Sequence, residues 1–237
     1  MGFFDQLDVD AVKASLRADL PTPIDVLNLV HFKDEEAYKW YGVMVLPLLK
    51  AVGARVGWVG KHRASLLGEP RAEELVVVRY PNQRRFFSLT LNPYYAVVAN
   101  PQRLKAVKRF EASFTHSDDG FGPLRKSEWL LCVHSHESSA PADEALREGG
   151  GTCVYRSVET SPIKIAKRDH PANTNPLVYK HTALIRFDSE QQAIDALTPG
   201  VLNQLQEIAG EPSLQLYQRV PKTEAMPAQV SKLLARV

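Results

Sequence analysis

One pattern of apolar segments, read as β-α-β-β-α-β, occurs twice along this chain and limits what it can fold into more than any other feature. The segments of the first copy are a strand at 24–32, a helix at 34–54, strands at 54–62 and 73–80, helical stretches at 82–92 and 93–109, and a strand at 110–116. Those of the second copy are a strand at 128–136, a helix at 141–151, a long or broken strand at 152–169, a strand at 177–187, helices at 189–197 and 199–210, and a strand at 213–220. Two copies of one unit are therefore expected rather than a single large domain.

This order of elements is the ferredoxin-like arrangement, an antiparallel sheet with the first and third strands central and both helices on one face. Each copy then has one bare sheet face, and two bare apolar faces in one chain can bury each other. The predicted fold class is α+β: tandem ferredoxin-like repeats forming an intrachain pseudo-dimer that resembles a dimeric α/β-barrel. Two independent domains, each forming a homodimer, are the alternative.

Short matches fall at equivalent places in the two copies. The first strands share Val30-His31 and Val133-His134, and the third strands share Arg79-Tyr80 and Arg186-Phe187. Each Arg-aromatic pair is followed by a helix-capping residue, Asn82 or Ser189. These matches support reading the halves as degenerate repeats.

Glycine, aspartate and proline separate the copies and give the predicted domain boundaries. The predicted segments are an N-terminal helix at 1–21, repeat 1 at 22–118, a linker at 119–127, repeat 2 at 128–221 and a C-terminal helix at 222–237.

Charge and cysteine content exclude several classes of protein. The net charge of +2 is too small to indicate a nucleic acid or an anionic membrane as partner. Cys132 and Cys153 match no zinc-binding spacing and cannot form a disulfide-rich scaffold. The sequence shows neither a secretory signal nor an apolar run long enough to span a bilayer, so a cytoplasmic location is expected.

Residues 26–95 carry an ordered series of short motifs. They are Asn28-Leu29, Phe32-Lys33, Ala37-Tyr38-x-x-Tyr41, Pro47-Leu48, Arg55, Arg79-Tyr80-Pro81-Asn82 and Pro93-x-Tyr95. In this order they resemble the family catalogued as domain of unknown function 1330, within the dimeric α/β-barrel superfamily. The resemblance covers the first half only. It implies a ferredoxin-like fold, and the wider superfamily includes cofactor-free monooxygenases, decarboxylases, cyclases and haem peroxidases.

Period-two alternation assigns the polar strand residues to faces. His31 shares a face with Leu27 and Leu29, and Arg79 shares one with Leu75 and Val77. The helix-covered face is expected to be the more uniformly apolar, which places His31 and Arg79 between the sheets and Asn28 toward the helices. Trp58 is the aromatic residue most expected to line a cavity there, and Arg186 is the counterpart of Arg79.

Histidines are concentrated in the second copy. His134 and His136 share one strand face, and His181 begins the strand predicted to lie alongside. Such a trio could bind a metal or haem iron, or one histidine could act as a general base. The ordinary interpretation is that these histidines are edge, loop and surface residues.

Three functional hypotheses follow. The first is a small-molecule-binding protein, with a cofactor-independent enzyme as its catalytic form, whose pocket lies between the sheets. Its catalytic residues would be His31, His134 and Arg79, with Trp58, Arg186 and His181 binding the substrate. The second is a non-catalytic binding or assembly module with a filled inter-sheet core, and the third is haem or metal binding through His134, His136 and His181. The expected partner is a small molecule, with no cofactor and no resident metal, and the chain would be a monomer or a homodimer.

Overall fold

The computed structural model describes residues 7–69, 72–118, 121–137, 140–157, 161–167, 171–209, 211–221 and 224–234. The helices are α1 (Val9–Arg17), α2 (Glu35–Ala51), α3 (Gln83–Thr90), α4 (Asn100–Ala106), α5 (Gly122–Lys126), α6 (Ala140–Glu148), α7 (Glu190–Asp195), α8 (Pro199–Ala209) and α9 (Ala228–Leu234), with a π-helical turn at Tyr95–Ala99. The strands are β1 (Ile24–Phe32), β2 (Arg55–Leu67), β3 (Glu74–Tyr80), β4 (Val107–Thr115), β5 (Trp129–Ser135), β6 (Thr152–Arg156), β7 (Ser161–Pro162), β8 (Thr174–Asn175), β9 (His181–Phe187) and β10 (Ser213–Arg219).

The two copies of the pattern form one continuous sheet. Its strand order is β6-β9-β5-β10-β2-β3-β1-β4-β7, with β8 also paired to β4. Within each copy the first and third strands are central and antiparallel, as β1 and β3 are in one and β5 and β9 in the other. The two copies join where β10 pairs with β2. The predicted α+β fold of tandem ferredoxin-like repeats is confirmed, and the alternative of two independent domains is wrong.

The two ends of the strand path are also close together. Arg156 ends β6 and Ser161 begins β7 on the edge of β4, so opposite ends of the path are only five residue positions apart along the chain. An extended chain of that length spans at most about 18 Å. The sheet therefore curls back on itself, as a barrel does.

The sheet and its helices enclose three apolar cores. One lies between the sheet of repeat 1 and its helices, and another lies between the sheet of repeat 2 and α6 to α8. The third contains side chains from both repeats, among them Leu27, Trp58, Leu130 and Tyr217. This inner core is the predicted burial of two bare sheet faces against each other.

Strand register corrects one of the sequence matches between the copies. Tyr80 lies opposite Ile24, and Phe187 lies opposite Trp129, so the Arg-aromatic pairs are equivalent. Counting along the first strands from these pairs makes His31 equivalent to His136 rather than to His134. The two matched Val-His dipeptides are therefore two residues out of structural register.

A buried ion pair lies at one end of the inner core. The carboxylate of Asp25, which is fully buried, accepts hydrogen bonds from Arg79 Nε at 2.7 Å and Nη2 at 2.8 Å. The hydroxyl of Tyr155, from repeat 2, donates a third at 3.1 Å. The Arg79 guanidinium also lies over the ring of Phe121, 4.2 Å from its centroid. These contacts tie the two repeats together.

Part of repeat 2 crosses to repeat 1. β7 pairs with the end of β4, and β8 runs parallel to β4 from Phe110. Arg103 Nη1 in α4 donates a hydrogen bond of 2.9 Å to the carbonyl of Ala172. Repeat 1 is therefore completed by residues of the other copy.

Among the described residues no helix is long and apolar enough to cross a membrane.

The ion pair gives a stability prediction. Asp25→Ala should lower the free energy of unfolding by about 3 kcal/mol, because it leaves the partly buried Arg79 without its counter-charge. Tyr155→Phe, which keeps the ion pair but removes the hydroxyl bonded to Asp25 and Thr115, should lower it by about 1.5 kcal/mol. Urea denaturation of both variants measures the difference, and equal losses would contradict the dominance of the ion pair.

Candidate functional site

Two of the residues predicted to line an inter-sheet pocket, Arg79 and His31, lie far apart. Arg79 pairs with Asp25 at the start of β1, whereas His31 lies six residues further along that strand. Six residues of extended strand span about 20 Å. Arg79 is moreover neutralised by Asp25, so these two residues are not placed to hold one small molecule.

The histidines of repeat 2 do not converge. His134 is fully buried, with Nδ1 2.9 Å from the Thr182 hydroxyl and Nε2 3.3 Å from Cys132 Sγ. His181 lies opposite Ser135, one position out of step with His134, and so belongs to the other face of the sheet. The predicted convergence of three imidazoles is therefore wrong. No cluster of three histidine, cysteine or acidic side chains that could hold a metal occurs in the described part of the chain.

Large side chains occupy the space between the sheets. Trp58 is 2% exposed, and its indole nitrogen donates a hydrogen bond of 2.9 Å to the carbonyl of Ser127. Tyr155 and Tyr217 are fully buried in the same core. Burial raises the pKa of the Cys132 thiol, which keeps it protonated in this apolar setting. The inner core is thus built of packed side chains.

A cavity of about 390 Å³ lies on the opposite face of the repeat 1 sheet, beneath α2. Its floor is formed by β1, β3 and β4 and its roof by α2. Repeat 2 and the C-terminal segment supply further wall through Ile165, Thr174, Arg219 and 224–226. Of the six predicted site residues, only Trp58 belongs to this wall, while His31, Arg79, His134, His181 and Arg186 do not.

The roof helix has a gap in its cavity-facing stripe. The cavity is lined by α2 residues at helical spacing: Tyr38, Tyr41, Gly42, Val45 and Leu49. Gly42 lies mid-helix, where glycine costs about 1 kcal/mol relative to alanine. A Cβ placed there would meet no atom within 4 Å. Its missing side chain therefore leaves space open rather than relieving a clash.

Tyrosine rings form one side of the cavity. Tyr38 and Tyr41 have ring centroids 5.4 Å apart, and Tyr41 and Tyr95 have centroids 6.5 Å apart in an edge-on arrangement. Burial raises the pKa of Tyr38 and of Tyr41, so both phenols remain neutral. The rings present an aromatic, uncharged wall.

Glu74 brings a carboxyl group to this wall from the first position of β3. The residue is 8% exposed, and no hydrogen bond or ion pair to its carboxyl occurs among the described residues. Burial raises its pKa from 4.5 to about 7, reinforced by the charge of Glu35 and opposed by Lys61 and Lys39. A carboxyl group that is largely removed from water and has no partner among the described residues is costly, and it is therefore a good candidate for a ligand contact.

The nearby ammonium groups have other partners. Lys61 Nζ lies 2.6 Å from Glu35 Oε1, and Lys39 Nζ lies 3.2 Å from the same oxygen. Lys39 also lies 3.8 Å from Glu36 Oε2. Glu35 therefore pairs with both ammonium groups, and Glu74 interacts with them only through long-range electrostatic attraction.

Asn28 supplies a second polar group to the cavity floor. Its side-chain nitrogen donates to the carbonyls of Val26 at 3.1 Å and Val76 at 3.0 Å. Both of its N–H groups are thus used, and the side-chain oxygen remains available to accept a hydrogen bond.

Sequence reasoning missed Glu74 because the helix-covered face was expected to be uniformly apolar. Alternation places Glu74 on the same face as Val76, Val78 and Tyr80, which was a usable signal. A second signal lay in the family-like motifs: Asn28, Tyr38, Tyr41, Tyr80 and Tyr95 all line the cavity.

Glu74 makes stability depend on pH. Between pH 4.5 and about 7, Glu74 keeps its proton in the folded protein but has lost it in the unfolded chain. The unfolding free energy should therefore fall as pH rises through this window, by about 3 kcal/mol for this group. Glu74→Gln should remove this decrease in the unfolding free energy, which urea denaturation at pH 4.5 and pH 8 measures. Glu73→Gln, at an exposed neighbouring position, is the matched control and should leave the fall in place.

Comparisons with known proteins identify the fold and no family. No family model and no curated protein matches the sequence. An anthrone oxidase-like protein superposes with a TM-score of 0.50 at 13% identity, covering 85% of this chain and 92% of that one. A protein of unknown function from Rhodopseudomonas palustris is 27% identical over 44% of this chain and 88% of its own, with a TM-score of 0.39. A chlorite dismutase from Candidatus Nitrospira defluvii is 7% identical, covering 93% and 99% of the two chains at a TM-score of 0.48. The chain therefore has the dimeric α/β-barrel fold, with ferredoxin-like repeats.

Proposed function

We propose that this protein binds a small, largely apolar molecule in the cavity beneath α2. The observation that carries the proposal is the buried, unpaired carboxyl of Glu74 on the wall of a 390 Å³ cavity. Ligand pockets are commonly about 300 to 1,000 Å³, mostly apolar, with few polar groups that fix orientation. Glu74 and Asn28 are such groups, and the remaining walls are mainly aliphatic and aromatic.

The family resemblance supports the same site. We propose that the chain is a divergent member of the family called domain of unknown function 1330, on the strength of its motifs at 26–95. Five side chains of those motifs, listed above as cavity residues, come from β1, α2, β3 and the π-helical turn. Motifs spread over four elements that meet around one cavity favour a shared ligand site over separate structural roles.

A cofactor-independent reaction in this cavity is the second candidate function, favoured by the pKa of Glu74. A carboxyl group with a pKa of about 7 can accept a proton from a bound molecule and return it at neutral pH. In D₂O, base catalysis would place deuterium in the bound molecule with wild-type protein and not with Glu74→Gln.

The filled inter-sheet core moves the proposed pocket away from the position expected from sequence. A cytoplasmic location and a monomeric or homodimeric state stay predictions.

Filling the cavity tests the proposed function. Gly42→Phe should abolish binding of 3-phenylpropan-1-ol, a small amphipathic probe, because the added ring occupies the ligand space. Gly42→Ala should keep binding and raise the unfolding free energy by up to about 1 kcal/mol through helix propensity. Chemical-shift changes in ¹⁵N-labelled protein report both the affinity and the residues affected.

Two results would count against the proposal. One is probe binding that perturbs no residue of α2, β1 or β3. The other is equal binding by wild-type and Gly42→Phe protein of preserved fold.

A further inference from the structure

We propose that the ligand is an organic amine, whose ammonium group pairs with Glu74 and packs against the tyrosine wall. This inference rests on the proposed function and specifies the chemical class of the ligand. It is carried by the unpaired carboxyl at one end of the cavity, the hydrogen-bond acceptors exposed there and the aromatic rings beside them.

Glu74 has no cationic partner among the described residues. The charged groups that act on it are Glu35, Lys61 and Lys39, so these four groups carry no net charge when all are ionised. Lys39 and Lys61 are nevertheless both paired with Glu35. Arg103, whose charge acts on Tyr38 and Tyr41, donates hydrogen bonds to the side chain of Asn100 and to the carbonyl of Ala172. An ammonium group on the ligand would give Glu74 the partner that it lacks.

Two polar groups of the cavity are acceptors without a partner among the described residues. Glu74 offers carboxylate oxygens, and Asn28 offers only its side-chain oxygen, since both N–H groups donate to backbone carbonyls. Asn28 lies opposite Val76, two positions from Glu74 on the neighbouring strand. A ligand that donates several hydrogen bonds matches this pair, and an ammonium group has three N–H donors.

The tyrosine rings also suit a cation. Ammonium groups are attracted to the faces of aromatic rings, because the ring quadrupole places negative charge there. The charge of Glu74 raises the pKa of Tyr38, so the two side chains lie at the same end of the cavity, and Tyr41 and Tyr95 extend the wall from Tyr38. Neutral phenols remain good partners for a cation over the working pH range.

The usual objection to a buried ion pair is the desolvation of both charges. Here the protein has already buried the carboxyl during folding, so only the amine is newly desolvated. The rest of the cavity suits an apolar body. Leu49, Val78 and Phe86 line its walls, and Val78 lies four residues along β3 from Glu74, about 13 Å away.

Three probes of one size test this inference: 3-phenylpropylamine, 3-phenylpropan-1-ol and 3-phenylpropanoate, titrated into the full-length protein by calorimetry at pH 8. We expect the amine to bind at least tenfold more tightly than the alcohol, and the carboxylate to bind most weakly. Glu74→Gln should bring the amine and the alcohol to within about twofold of each other. Glu73→Gln should leave the wild-type order intact, and Gly42→Phe should remove binding of all three.

The pH dependence provides a second readout. Lowering the pH from 8 to 6 should weaken amine binding about tenfold in the wild type, because Glu74 must release a proton to pair with the amine. Lys61, Lys39 and Glu35 face Glu74 and are paired with one another, and the alcohol controls for their contribution. Neither the alcohol in the wild type nor the amine in Glu74→Gln should show this change.

The outcomes separate the two proposals. If the alcohol binds in the cavity as tightly as the amine, the ligand is not selected by charge and the inference fails, while the proposed function stands. If amine preference persists in Glu74→Gln, Glu74 is not the partner and the inference also fails. If none of the probes binds, the proposed function fails with it.

Discussion

Mutual burial of two sheet faces is the constraint on which the rest of this structure depends. Each ferredoxin-like repeat covers one face of its sheet with helices and leaves the other bare, and a bare apolar face in water is unstable. Leu27, Leu29 and Trp58 from repeat 1 meet Leu130, Cys132 and Tyr217 from repeat 2 in one buried core. The pairing of β10 with β2 and the crossing of β7 to β4 follow from bringing these faces together.

Filling the inner core determines where a ligand can bind. With Trp58, Tyr155 and Tyr217 occupying the space between the sheets, the cavity described here lies on the outer side, between the repeat 1 sheet and α2. Its walls are nevertheless completed by Ile165 and Thr174 of repeat 2 and by the chain after β10. The fused architecture therefore contributes to the site even though the site is not at the centre of the barrel.

The cavity has features that lower stability without improving packing. Glu74 is largely buried without a partner among the described residues, and Gly42 lies within α2 at a position where larger side chains would fit. By contrast, Asp25 is even more deeply buried but is satisfied by Arg79 and Tyr155. The two acidic residues lie on strands of one sheet, and only the one facing the cavity lacks a partner. That contrast is the physical reason for assigning function to the outer face and a structural role to the inner ion pair.

The sequence by itself determined the repeats, the order of strands and helices and the sheet faces, because these depend on local periodicity. Period two correctly placed Arg79 on the inner face and Asn28 toward the helices. What only the tertiary structure decided was which face holds a cavity. Side-chain packing across the barrel determines that, as do the partners of Asp25, Glu74 and Lys61, which lie far apart in sequence. The strand register also decided that His181 and His134 lie on opposite faces, because a shift of one residue moves a side chain to the other face of the sheet.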